Sequence, residues 1–415
     1  RSDIASMSKR EFDLVLLGAT GFTGQLEAEY LATLYGVEGD LQLANAGRNR
    51  DKLEHVRDAC LPPDQRDRLA ILLADSDDPA SLAALAGRTR VICTTVGPYA
   101  KYGTGLVAAC VEAGTDYCDL TGEVQWMARI IPSYQGSAEA SGARIVHTCG
   151  FDSIPSDMGT WFLQQTMLER HGVPACRVRA RVGKTRGGAS GGTIASMLNL
   201  LEEALHDTSI RRLVADPYCL YPPGIAPGED ESDQTGPRYD PDFEQWTSPF
   251  IMGVVNTRVV RRSNALLGFP WGEDFRYDEA VLERSRLRAS RNALAAGLGM
   301  ASLALGPTRK LARRLLPAPG EGPSRRQRER GFFEIFFHGV HPTDRDLDMR
   351  LKVTGDMDPG YGSTSKMLGE AAVSLALDKR QTGGGFWTPS SAMGRNLLDR
   401  LVAHAGLTFE FVDPD

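Results

Sequence analysis

Apolar positions in the first third of the chain fall in short unbroken runs separated by stretches of helical spacing. Asp13 to Leu17 is such a run, and Thr23 to Leu34 after it carries apolar residues at three- and four-residue intervals. The alternation repeats. Leu41 to Ala46 precedes RDKLEHVRDAC, Ala70 to Ala74 precedes PASLAALAG, and Val91 to Val96 precedes GLVAACVEAG; DYCDL and Ile145 to Cys149 complete the series. A continuous apolar run suits a strand covered on both faces, as in a parallel sheet flanked by helices. Six such runs alternating with helices predict an α/β fold whose amino-terminal part, residues 7–155, is a Rossmann-type doubly wound parallel sheet. In that arrangement a nucleotide sits at the first crossover.

The first crossover carries Gly18-Ala19-Thr20-Gly21-Phe22-Thr23-Gly24, a GxxGxxG pattern. Gly18 permits a sharp turn off the strand, Gly21 lets backbone amides approach a pyrophosphate, and Gly24 lets the helix pack on the sheet. The partial positive charge at the start of the helix then faces the phosphates. The end of the second strand selects the dinucleotide. An NAD site places a carboxylate there, whereas this chain has Arg48, Asn49, Arg50 and Lys52 after Gly47. NADP(H) is therefore expected, with Arg48 pairing the 2′-phosphate and Asn49 and Lys52 beside it. Asp75 either accepts from the adenine amino group or caps the next helix. Thr95, Val96, Gly97 and Pro98 end the fourth strand, where Gly97 would let the backbone approach the nicotinamide ribose and Pro98 would stiffen the exit.

Composition narrows the class. The 415 residues are too many for one small core, and 42% hydrophobic with 24% charged residues is ordinary for a soluble globular protein. A net charge of −6 speaks against nucleic acid as the main partner. The seven cysteines (60, 93, 110, 118, 149, 176, 219) form no CxxC pair, which suits reduced thiols in a cytoplasm and leaves no metal site expected. Residues 1–6, RSDIAS, precede an expected start at Met7 and are set aside; the first apolar run is only a strand's length, so no leader is expected.

The segments GATGFTG, NAGRNRDKL, TTVGPYAKYG, DYCDLTGE and HTCGFDSIPSD, in this order, resemble the saccharopine dehydrogenase-like oxidoreductases. The later stretches SGGTIASML, NTRVVRRSNAL, GPSRRQRERG and WTPSSAMG resemble the actinobacterial branch described as trans-acting enoyl reductases, which serve polyketide-derived lipid pathways. The likeness runs from about Phe12 to Phe411. It implies a second α/β domain over residues 156–375, with a mostly antiparallel sheet covering the nicotinamide end, and a segment 376–415 packing back on the core. The residues agree in part. Arg177 to Lys184 alternates like a strand, and the loop GGASGGT (187–193) leads into the helix-like TIASMLNLLEEAL, either as a structural turn or as an anion site. Residues 217–242 read as a long surface loop, Phe332 to Phe337 and Asp346 to Thr354 as strands, and Lys366 to Leu377 as an apolar-striped helix. The tail returns through Gly383-Gly384-Gly385 to a last helix.

Asn292 to Leu305 is a run of small and apolar residues, too short for the roughly 20 that a bilayer span takes. Between Thr308 and Gly331 there follow eight Arg or Lys against two Glu. The segment 292–331 is therefore either a buried helix with a solvated charge run or a peripheral membrane contact; the basic stretch would equally suit an acidic acyl carrier protein.

For the chemistry, a reductase must place an acceptor carbon against the nicotinamide and supply a proton. Tyr99 is not part of a Tyr-x-x-x-Lys pair, since glycine stands at 103, but its phenol follows the fourth strand directly. His147 and Cys149, in the sixth run, read first as core. In Phe151-Asp152-Ser153-Ile154-Pro155-Ser156-Asp157, Ser156 or Asp157 is expected to cap the next helix, leaving Asp152 and Ser153 for the cleft. The expected catalytic set is Tyr99, Asp152 and Ser153. Three functions fit: reduction of an enoyl acyl group made by a partner polyketide or lipid synthase; reduction of an imine or amino acid, with Arg258, Arg261 and Arg262 holding carboxylates; and NADPH binding without turnover at a lipid surface.

Overall fold

The structure is a computed structural model that describes residues 10–36, 41–188, 190–228, 232–304, 307–308, 310–311 and 321–412. The expected start at Met7, and the part of the basic stretch at 309 and 312–320, lie outside the described residues.

Six parallel strands form where the apolar runs fall: β1 (Phe12–Leu17), β2 (Leu43–Gly47), β3 (Leu69–Leu73), β4 (Thr89–Thr94), β5 (Asp116–Asp119) and β6 (Arg144–Val146). A seventh, β13 (Gly385–Trp387), joins from near the end of the chain, giving the order β13-β6-β5-β4-β1-β2-β3. In β1, Leu14 and Leu16 belong to one apolar core and Val15 and Leu17 to another, so both faces are dry and the run cannot alternate with polar residues. The connecting helices start and stop at local signals. The Asn49 side chain accepts from the Lys52 amide at the start of α2 (Arg50–Cys60), and Asp78 does the same for α3 (Pro79–Arg88), which opens on proline. Left-handed Gly114 and Gly142 end α4 (Tyr99–Ala113) and α5 (Val124–Ser141). The first helix, α1 (Phe22–Leu31), follows the glycine loop directly.

A second sheet of seven strands has the order β14-β12-β11-β7-β10-β9-β8. Its members are β7 (Arg177–Arg186), β8 (Arg238–Asp240), β9 (Gln245–Pro249), β10 (Arg276–Glu283), β11 (Phe332–Val340), β12 (Met349–Gly355) and β14 (Leu407–Phe411). It is mixed: β7 and β10 run parallel and the other neighbours antiparallel. In β7 the buried Val178, Ala180 and Val182 alternate with Arg177, Arg179 and Arg181. Arg179 and Arg181 pair with Asp240 and Asp278.

The carboxy-terminal part serves both sheets. The helix Gly362–Leu377 lies against β1, β4 and β5, although its sequence position goes with the second sheet. β13 extends the first sheet, the helix Pro389–Ala403 packs on α6 (Ile154–His171), and β14 closes an edge of the second. Within the expected loop 217–242, the short strand β8 forms the opposite edge. The helix α10 (Arg286–Ala304) is not buried: Leu294 and Leu298 are 63% and 61% exposed.

Candidate active site

The parallel strand order places the carboxyl ends of β1 and β4 on either side of a crevice, the ligand site of such sheets. Gly18 leaves β1 with φ +97°, a conformation open to glycine, and a Cβ there would stand 2.8 Å from both Thr95 Oγ1 and Val96 Cγ2. Thr95 Oγ1 donates to the Gly18 carbonyl at 3.2 Å, so Thr95 and Val96 are brought against the loop as expected from their position after β4. Gly21 is the amino-terminal cap of α1 and no side chain caps it. Among the described residues the amides of Phe22 and Thr23 have no acceptor. Free amides at the positive end of a ten-residue helix, in a turn too tight for side chains, fit the pyrophosphate of a dinucleotide.

Beyond β2, Arg48, Asn49 and Lys52 are exposed. Asn49 Oδ1 accepts from the Lys52 amide at 2.9 Å, so the acceptor of this side chain is used on its own helix. Arg50 pairs loosely with Glu54. Arg48 has no protein partner among the described residues and stands free beside the strand end. Asp75 does not cap α3, a role taken by Asp78; its Oδ1 accepts from the Asp77 amide at 3.1 Å.

At the nicotinamide end, Gly97 is exposed after β4. Tyr99 is buried, its ring stacked on Trp126 at 5.9 Å. Its hydroxyl donates to the Thr94 carbonyl at 3.1 Å and accepts from the Leu120 amide at 3.2 Å. Both links are to backbone, tying the end of β4 to the end of β5, and burial raises the phenol well above its usual range. Both hydrogen bonds of the Tyr99 hydroxyl are thus made within the protein, where the sequence offers a candidate donor or a packed ring. Glu123, which the sequence reading passed over inside DYCDLTGE, accepts from the amides of Tyr99 (2.7 Å) and Ala100 (3.0 Å) and from Ser196 Oγ (2.9 Å). It replaces a side-chain cap on α4 and fastens α7 (Gly191–His206) over the cleft; burial raises its carboxyl while the three donors oppose the shift.

Asp152 is half-buried, with Oδ2 3.4 Å from the position a Cβ on Gly122 would take; Val255 and Met252 border the same glycine. It has no protein partner among the described residues, and desolvation pushes its carboxyl up to about 7. Ser153 is buried, and its hydroxyl donates to Asn256 Oδ1 at 3.0 Å; it is itself the cap residue of α6 by backbone position. The expected caps do other work. Asp157 accepts from Ser263 Oγ and from the Ser390 amide, and Ser156 reaches the buried Glu279. His147 Nδ1 lies 2.8 Å from Asp119 Oδ2, and Asp119 also accepts from Tyr117, Thr121 and Thr148. The sequence placed Asp119 in a strand-like run, and no local pattern linked it to a histidine 28 residues on.

In the loop 187–193, of which residue 189 lies outside the described residues, the Gly191 amide donates to Tyr361 Oη and the Thr193 amide to Ser190 Oγ. Arg258, Arg261 and Arg262 are buried on α9 (Gly253–Leu266). Arg258 pairs with Asp233 and donates to Val214 O, Arg261 donates to Tyr277 O, and Arg262 to Leu220 O and Phe386 O. These guanidiniums are engaged inside the fold by backbone carbonyls and by Asp233. All seven cysteines are free, and the described residues contain no cluster of metal-binding side chains.

Residues 14–146 match the NADP-binding domain of saccharopine dehydrogenase. A Mycobacterium tuberculosis protein described provisionally as a trans-acting enoyl reductase is 43% identical over 97% of this chain and 97% of its own. The trans-acting enoyl reductases of Mycobacterium leprae and Mycobacterium ulcerans are 37% and 39% identical, each over 95% of this chain and 97% of its own length. Among solved structures, apo saccharopine dehydrogenase (L-Glu forming) from Saccharomyces cerevisiae shares the fold, with a TM-score of 0.52 at 13% identity over 96% of this chain and 99% of that one.

Proposed function

Because this chain belongs to the family of the mycobacterial trans-acting enoyl reductases, built on an NADP-binding domain of saccharopine dehydrogenase type, we propose that it reduces the carbon–carbon double bond of an enoyl acyl group. It is an NAD(P)-dependent oxidoreductase that binds NADP(H). The further assignments, to NADPH over NADH and to a polyketide- or fatty-acyl-type substrate made in trans by a synthase or held on an acyl carrier protein, are part of the proposal.

When bound, the reduced nicotinamide supplies a hydride, which an enoyl thioester accepts at its β-carbon. The α-carbon then requires a proton, and Asp152 carries this reading: it is a partnerless carboxyl in the cleft whose pKa near 7 leaves it substantially protonated at neutral pH. Tyr99 and Ser153 act by position, Tyr99 by locking the ends of β4 and β5 and Ser153 by holding α6 to α9 through Asn256. Arg48 supports NADPH over NADH, because an unpaired guanidinium beside the β2 end suits a 2′-phosphate. Imine or amino-acid reduction is the weaker reading, since the three arginines that would hold substrate carboxylates are committed to internal partners.

A lipid setting is supported by α10. Its first turns carry Arg286, Arg288 and Arg291 with the exposed Leu287, and its exposed Leu294 and Leu298 line an open groove of about 450 Å³ bordered by Thr235 and Pro237. No described helix is long and apolar enough to cross a membrane, so contact there would be peripheral.

The deciding experiment follows loss of the reduced-nicotinamide absorbance with enoyl thioesters of increasing chain length, free and carrier-bound. Substrate-dependent oxidation of NADPH is expected. Activity on a cyclic imine with none on any enoyl thioester would move the assignment to the second reading, and coenzyme binding without turnover on either class would leave a binding protein.

A further inference from the structure

Residues 18–24 include no charged side chain, yet the pyrophosphate of the coenzyme reading would bring negative charge to them. The helix dipole answers part of this. A cation arrives from an unexpected direction. The strap 321–331, which follows the apolar helix in sequence and reads there as a surface charge run, lies across the glycine loop. Phe22 is the first residue of α1, and because helical Cα–Cβ bonds lean toward the amino terminus, its ring stands over the phosphate end of the helix. Three groups enclose that ring. Tyr361 meets it edge-on at 4.8 Å, and Gly322 lies so close that a Cβ there would be 2.3 Å from Phe22 Cε1. The Arg328 guanidinium sits 5.4 Å from the ring centroid.

The strap is anchored rather than draped. Ser324 and Gln327 form a reciprocal capping box on the short helix Arg325–Glu329, and Arg325 reaches Glu29 on α1 at 3.8 Å. The Arg328 carbonyl accepts from the amides of Gly331 and Asp358, both at 3.0 Å. Among the described residues only Nη1 of Arg328 is engaged, on the Pro323 carbonyl, out of the nitrogens that carry its five guanidinium N–H groups. The charge of Arg328 is felt by Asp358, but their charged groups make no contact within ion-pair distance, and the Asp358 carboxylate accepts the amides of Tyr361 and Gly362. Among the described residues Arg328 has no ion pair. The neighbouring Arg325 is instead satisfied by Glu329 and Glu29, and Arg326 and Arg330 are exposed.

We infer that Arg328 is a ligand of the coenzyme pyrophosphate, carried across the glycine loop by the strap 321–331 and held in place over Phe22. The inference rests on the coenzyme reading and adds to it a residue some 300 positions away from the glycine motif.

The test is equilibrium binding of NADPH, NADH and 2′-AMP to the full chain, by calorimetry or tryptophan fluorescence, with Arg328→Met, which keeps the stem on Phe22, and Arg328→Lys. Arg328→Met should weaken NADPH and NADH by the same factor, on the order of tenfold, while 2′-AMP, which lacks the pyrophosphate, changes less than about twofold. Arg328→Lys should recover part of the loss. Unchanged NADPH affinity in Arg328→Met overturns the inference, as does an equal loss for 2′-AMP, which would mark the strap as merely structural. If the unaltered protein binds neither dinucleotide, the coenzyme reading itself fails, a result distinct from either.

Discussion

Gly24 lies directly beneath Gly18: a Cβ on Gly24 would stand 2.2 Å from the Gly18 carbonyl oxygen and 2.9 Å from Thr95 Oγ1. No rotamer relieves such a clash, since it is made by backbone, so α1 and the loop must separate. Gly24→Ala should therefore weaken NADPH binding by at least about tenfold and lower the melting temperature by several degrees. Calorimetric titration with a parallel thermal scan checks both; a variant that binds normally would mean that the close packing of α1 on β1 is not needed for the cradle.

Arg48 should act on one coenzyme only. A charge-assisted pair to the 2′-phosphate is worth about 1.5–3 kcal/mol, so Arg48→Ala is expected to weaken NADPH by roughly 10- to 150-fold and leave NADH unchanged. The contrast with Arg328→Met, which should affect both dinucleotides, separates recognition of the ribose phosphate from that of the pyrophosphate. Equal effects on the two coenzymes would remove Arg48 from the 2′-phosphate site.

The Asp152 carboxyl, pushed up to about 7 by burial, makes two pH predictions. As general acid it works protonated, so turnover should fall as pH rises through about 7, and Asp152→Asn should cost roughly 10²-fold and flatten that limb. The stability effect has a defined sign. The folded pKa lies above the unfolded value near 3.9, so the native state binds the proton more tightly. The carboxyl's contribution is fully present below about 4 and is lost as pH climbs to about 7. Asp152→Asn should then gain in melting temperature over the parent at pH 8 and not at pH 4. Parallel melting curves would show an error in this placement.

Tyr99→Phe separates positioning from proton donation. It leaves the Thr94 carbonyl and the Leu120 amide without partners, at a cost of about 1–3 kcal/mol in stability. Turnover per folded molecule should stay within about fivefold of the parent. A fall of 10³-fold with normal coenzyme affinity would return the phenol to the catalytic set.

The exposed face of α10 should govern contact with lipid. Leu294→Glu with Leu298→Glu is expected to abolish flotation with anionic vesicles while leaving coenzyme affinity unchanged, since both side chains are already in solvent. Absence of flotation in the unaltered protein would dismiss the membrane contact.

The first sheet was legible in the sequence because each of its signals is local. A strand dry on both faces must be continuously apolar, Gly18 must be glycine where φ is +97°, and Asp78 with Pro79 announces α3 within two residues. The bare cationic end of β2, with Arg48 and no acid, is likewise readable in order along the chain. What tertiary structure alone decided are the partnerships between distant residues. Apolar stripes say that the helix Gly362–Leu377 is buried, but not on which sheet, because both offer the same hydrophobic surface. Asp157 looked like a cap and instead holds Ser390, 233 residues on. The Tyr99 phenol reads in sequence as a candidate donor and is hydrogen-bonded to two backbone groups, and the basic strap reads as surface and crosses the glycine loop. Hydrogen bonding and desolvation depend on which groups folding brings within a few ångströms. That is why the glycine loop, and Asp152 with Tyr99 and Ser153 as candidates, could be read from the chain, while only folding shows that Tyr99 and Ser153 are hydrogen-bonded internally and that Asp152 has no partner among the described residues.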